Sequence, residues 1–149
     1  MTDLEMKHYL NRAFYADKKA LALRMLTEQL RERAEGLSKS GEYTDTSPQK
    51  GSQNAAEGAV MRLLEMQERY EVQLAQLVKI TDEVSDTISR LNDNDLEAVL
   101  IHRYILFHTI EETAELMHYA PRTVRAKQKA AIEKLCLLMP CFAASDVVD

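Results

Sequence analysis

Between Ala59 and Leu91 the apolar positions repeat with a clean period. Val60, Leu63, Gln67, Tyr70, Leu74, Leu77, Thr81, Val84, Ile88 and Leu91 follow alternating steps of three and four, and only Gln67 and Thr81 interrupt the apolar run. A sustained period of 3.5 predicts a helix with a seam against another helix. Asp3 to Glu35 carries a looser version. Leu10, Ala13, Phe14, Leu21, Met25, Leu26 and Leu30 recur at helical spacing but drift around the face. This predicts a long amphipathic helix, closed by Gly36 in the C-cap position. Residues 36–58 hold all four glycines and Pro48 among Ser, Thr, Asn and Gln. They read as a flexible linker. Such a linker lets the first helix fold back antiparallel on the second. Self-association through the same seam is the alternative, and a homodimer through the hairpin is compatible with the folded-back form.

After Leu91, "NDND" at 92–95 punctuates the chain and offers an Asn or Asp N-cap. A helix is expected from about Asp95 to Leu106, with Leu96, Val99, Leu100 and Tyr104 on one side. Thr109 followed three residues later by Glu112 is a capping box, so another helix starts at Ile110. It ends near Met117, because Pro121 disfavours helical geometry at Ala120. His118, Tyr119 and Ala120 form the turn, and Pro121 suits the first position of a helix reaching about Leu138. Two helices joined by three residues have the spacing of a helix-turn-helix. Ala114 is small where the two helices must approach, and Val124, Gln128, Ala131 and Leu135 form the packed face of the second. The expected fold is all-α. A long antiparallel helical hairpin (1–91, linker at 36–58) precedes a small helix-turn-helix domain (92–139) and a tail (140–149).

Charge changes this picture. Residues 121–135 contain Arg122, Arg125, Lys127, Lys129 and Lys134 against the single acid Glu133, a net +4 in a chain whose formal net charge is −5. Everything else therefore sums to −9, so attraction to phosphate has to come from this local patch. At 100° per residue, Arg125, Lys129, Arg122 and Ala126 lie at about 100°, 140°, 160° and 200° from Val124, away from the packed face. Lys127, Lys134 and Thr123 lie on one flank. That arrangement fits a recognition helix entering the major groove of double-stranded DNA. Arg122, Arg125 and Lys129 would read or grip DNA, and Ala126 would let the backbone approach and touch a thymine methyl. Thr123, Lys127 and Lys134 would contact the phosphate backbone. His118 and Tyr119 in the turn are further candidates for a phosphate contact.

The stretch "LEAVLIHRYILFHTIEETAELMHYAPRTVRAKQKAAIEKL" resembles region 4 of sigma-70-type factors. Arg103-Tyr104 matches its Arg-Tyr helix end, Glu112-Thr113-Ala114 its Glu-x-Ala opening, and Thr123-Val124 the start of its recognition helix. Ala131 and Leu135 close the pattern. His118 stands where the family usually has Gly, Ala120 where it has a Ser cap, and Gln128 where it has a Leu-type core residue. Over residues 8–138 the chain resembles ArpU- and RinA-type late-gene regulators of phages and prophages. Shared features are Tyr9-Leu10 on a long helix, a Pro/Gly-containing insertion and the "RY" before the sigma-like end. The resemblance implies a transcription regulator acting on phage promoters, with host RNA polymerase as a further partner.

Other chemistry has little behind it. His8, His102, His108 and His118 are scattered, and no P-loop, G-x-S-x-G, H-E-x-x-H or EF-hand pattern occurs. Neither an enzyme nor a cofactor is expected. Cys136 and Cys141, spaced C-x4-C, read as small apolar residues in a reduced, cytoplasmic protein rather than as metal ligands. "MTDLEMKHYL" has no apolar signal region, and no run approaches the roughly 20 apolar residues of a membrane span. Two rivals to DNA reading stand beside it: a protein-interaction module docking on RNA polymerase, and a small DNA-packaging subunit of terminase type.

Overall fold

The structure, a computed structural model, describes residues 2–43 and 50–139. Among these, six α-helices follow one another and no strand occurs: α1 (Asp3–Leu10), α2 (Arg12–Tyr43), α3 (Lys50–Ser89), α4 (Asn94–Leu100), α5 (Ile110–Met117) and α6 (Pro121–Leu138). The all-α expectation holds. No helix among the described residues is long and apolar enough to cross a membrane. The tail from residue 140, with Cys141, lies outside the described residues.

The linker needs correcting. α2 runs through Gly36 to Tyr43 and α3 starts at Lys50, so 36–43 and 50–58 are helical. Only 44–49 of the expected linker lie outside the described residues. A glycine inside a helix costs roughly 0.5–1 kcal/mol, too little to end one whose seam continues. Leu30, Ala34 and Leu37 keep the three-four step across Gly36, Ala34 buried and the two leucines half-buried.

That seam is built on small residues. Ala13, Ala16, Ala20, Thr27 and Ala34 are buried, with Leu23 half-buried between Ala20 and Thr27, whereas Leu21, Met25 and Leu26 are exposed. On α3, Leu63, Tyr70 and Leu77 are half-buried and Val84 and Ile88 buried, as the period predicts, and Leu91 just beyond its end is buried too. Val60 and Leu74 are exposed instead, while Met66 and Ile80 are half-buried and Thr87 is buried.

The packing divides the chain into two compact units. One consists of residues Asp17–Leu77, where α2 and α3 line common grooves, for example Arg24, Thr27 and Arg31 with Gln67, Tyr70 and Leu74. The other joins the described residues up to Ala16 to those from Val78 onward. The boundary drawn at 91/92 from sequence falls inside this second unit. Its core contains Met6, Tyr9, Leu10 and Ala13 from the start of the chain, Val84, Ile88 and Leu91 from the end of α3, and Leu100, Tyr104, Ala131, Ile132, Leu135 and Met139. The Arg12 guanidinium lies 2.8 Å from Glu83 and 5.1 Å from the centre of the Tyr9 ring. Tyr9 donates its hydroxyl to Thr87 Oγ1 at 3.2 Å, since the Thr87 hydroxyl proton is given to the Glu83 carbonyl at 2.9 Å. Rising numbers from Tyr9 to Arg12 thus meet falling numbers on α3, which makes the pair antiparallel here.

Candidate nucleic-acid interface

Local chemistry fixes the helices around α6. Asp93 caps α4, its carboxylate accepting from the Asp95 and Leu96 N–H groups at 3.1 and 3.2 Å. The helix expected to reach Leu106 keeps α geometry only to Leu100 and then widens into a π-helical turn, Ile101–Ile105. Leu106 N–H donates five residues back to Ile101 at 2.9 Å, and Phe107 takes a left-handed φ of 59°. The chain then enters α5 through the Thr109–Glu112 capping box, with bonds of 3.1 and 3.3 Å. His118 ends α5 at φ 60°, ψ 43°, the left-handed geometry a glycine would ordinarily supply. Tyr119 N–H reaches the Ala114 carbonyl at 2.8 Å. Ala120 gives α6 no side-chain cap, and Pro121 sits in the first turn. Val99, Ala114 and Val124 are buried together, with Ile110, Met117 and Tyr119 around them.

α6 buries Val124, Ala131, Ile132 and Leu135. Gln128, read from sequence as part of the packed face, is half-buried and polar in function. Its Oε1 accepts from Arg103 Nε at 2.8 Å, while Arg103 Nη1 donates to the His108 carbonyl at 2.6 Å. Arg103 therefore ties the loop before α5 to the middle of α6. His102 and His108 add a second tie, Nδ1 to Nδ1 at 3.0 Å with rings stacked.

The basic residues fall into two groups. Arg122, Arg125, Ala126 and Lys129 are exposed. Arg122 and Lys129 have no ion-pair partner among the described residues, and Arg125 stands 3.7 Å from Glu111 across open surface, a contact of little strength. The flank residues are engaged instead. Lys127 pairs with Asp95 Oδ2 and lies 5.1 Å from the Tyr119 ring centre, and Tyr119 donates its hydroxyl to Asp95 Oδ1 at 2.6 Å. Hydrogen bonds from Lys127 and Tyr119 hold the Asp95 carboxyl below its usual range, and the same carboxylate pushes Lys127 and Tyr119 up. Lys134 Nζ donates to the Leu91 carbonyl at 2.6 Å, in the turn that follows α3, and Thr123 is half-buried. Sequence reading offered Tyr119 to a phosphate; its hydroxyl belongs to Asp95.

Among the described residues no three His, Cys, Asp or Glu side chains gather as a metal site. Cys136 is a half-buried free thiol raised above its ordinary range by burial and then by Asp3, which its Sγ meets at 3.6 Å. Compared with known proteins, the chain matches no family model, no curated protein and no solved structure.

Proposed function

We propose that this protein is a sequence-specific DNA-binding transcription regulator of phage type, with α6 as the helix that enters the major groove. One observation carries the reading. Arg122, Arg125 and Lys129 stand exposed along one side of α6, while its Val124 is buried with Val99 and Ala114 behind it. A packed helix presenting exposed guanidinium and ammonium groups, of which only Arg125 has an ion-pair partner among the described residues and that a weak one, suits bidentate guanine contacts and phosphate neutralisation. The overall charge of −5 leaves this face as the local exception. The sigma region 4-like residues Glu112, Ala114, Thr123, Val124 and Leu135 support the same reading. Lys127 and Lys134 contribute to it by fixing α6 against α4 and α3, and their charges reach a phosphate only at the expense of those contacts.

The test is selection of bound sites from random duplex DNA, followed by affinity measured across salt. The expected plot of log K against log [salt] has a slope of several units. Arg125→Ala should lose about 1–3 kcal/mol and relax specificity at one base position, while Lys129→Ala should weaken all sequences alike. Salt-insensitive or absent binding rejects the reading. The rival of docking on RNA polymerase is favoured by Leu116 and Leu137, 56% and 81% exposed near the same helices. Retention of polymerase binding without DNA binding would select it.

A further inference from the structure

A second polar feature lies apart from the Arg122–Lys129 edge. Where α1, the start of α2, the π-helical turn and α6 meet, they enclose a cleft of about 440 Å³. Lys7 and Arg103 supply its cations, His108 an imidazole, and Phe14 and Phe107 an aromatic wall whose rings meet edge to face at 5.5 Å. None of the residues lining it is acidic, in a chain with 24 acids against 19 Lys and Arg.

Arg103 has an unbalanced charge. It is half-buried, yet both of its hydrogen bonds go to neutral oxygens, Gln128 Oε1 and the His108 carbonyl. Among the described residues no carboxylate lies within ion-pair distance of it. A guanidinium has five N–H donors, so donors remain after these two bonds. A partly desolvated cation without a counter-charge is unfavourable until an anion joins it. Lys7 is exposed and likewise has no ion-pair partner among the described residues. The backbone around the cleft is unusual in two ways, the π-helical turn that places Arg103 and the left-handed φ of 59° at Phe107. Both kinds of irregularity concentrate at functional sites.

We propose that this cleft binds a phosphoester through Lys7, Arg103 and His108. Donors from two separate parts of the chain, Lys7 on α1 and Arg103 with His108 around the π-helical turn, can bracket a tetrahedral anion, which a single surface lysine cannot do, and the volume leaves room for the group the phosphate is attached to. The phosphate can come from a free small phosphoester or from the backbone of a nucleic acid. The site does not rest on α6 reading DNA.

Histidine side-chain NMR on the full chain tests it, at ionic strength held constant with sodium chloride. One arm titrates inorganic phosphate and the other a short duplex of random sequence. A saturable shift of the His108 ring resonances is expected in at least one arm. A response to inorganic phosphate assigns a free phosphoester, and a response to duplex alone assigns the nucleic-acid backbone. Lys7→Gln, which removes a charge without touching the Arg103 bonds, should weaken the responding ligand about fivefold or more. Arg103→Gln should abolish the response, and if that variant fails to fold, Lys7→Gln still decides. Arg125→Ala should leave the inorganic phosphate response intact even where duplex binding on α6 is lost. No saturable shift in either arm, or shifts indifferent to Lys7→Gln, overturns the proposal.

Discussion

His102 and His108 bond Nδ1 to Nδ1 at 3.0 Å, which requires one ring nitrogen to carry a proton and the other a lone pair. A second proton would abolish that bond. Burial, and then the neighbouring His108, lower the proton affinity of His102. A lowered folded value means stability present above the unfolded imidazole value, roughly 6.5, and lost as pH falls through the folded one. The midpoint of thermal unfolding should therefore drop as pH falls below about 6.5, and His102→Asn should flatten that drop. An unchanged acid slope in the variant would place its origin elsewhere. Contacts of this kind were illegible in the sequence. Thr109, His118 and Pro121 were readable because each acts on backbone within four residues. Asp95, Tyr119 and Lys127 come together from three elements, and Asp95 looked like simple punctuation in "NDND".

α2 shows how a local signal loses to a longer one. Gly36 read as a helix stop because glycine tolerates the left-handed conformation of a C-cap. Within α2 it lies among helical neighbours, and its φ is not positive. A Cβ built there meets nothing within 4 Å. Gly36→Ala should therefore stabilise α2 by about 0.5–1 kcal/mol, seen as greater helicity by circular dichroism and a later transition. A left-handed C-cap would give the opposite sign, so destabilisation would refute the continuous helix. The seam was only half legible for a related reason. Large side chains pointed to Leu21, Met25 and Leu26, whereas the buried positions beyond the expected Ala13 are Ala16, Ala20 and Ala34. Alanine gives little hydrophobic signal but permits close helix approach. The π-helical turn left no trace that periodicity could register.

At the scale of the molecule, the helices around the candidate interface depend on residues far away in sequence. The core beneath α6 draws Met6, Tyr9, Leu10 and Ala13 from the first sixteen residues, and Val84, Ile88 and Leu91 from the end of α3. A fragment beginning at Asn92 retains only Leu100, Tyr104, Ala131, Ile132, Leu135 and Met139 of that cluster. It also loses the Leu91 carbonyl that receives Lys134. Fully burying one Leu or Ile contributes roughly 1.5–3 kcal/mol, against a typical domain stability of about 5–15 kcal/mol. Removing seven core residues exceeds that margin. The 92–139 fragment should show no cooperative melt by circular dichroism and poorly dispersed NMR amides. Residues 1–16 and 78–139 joined by a short flexible segment should melt cooperatively. Within the full chain, Leu10→Ala should destabilise by about 2–5 kcal/mol, and any DNA affinity should vanish over the same temperature range although Leu10 faces no ligand. A 92–139 fragment that melted like the intact protein would show that the C-terminal helices need nothing from the chain's beginning, and would restore the boundary at residue 91.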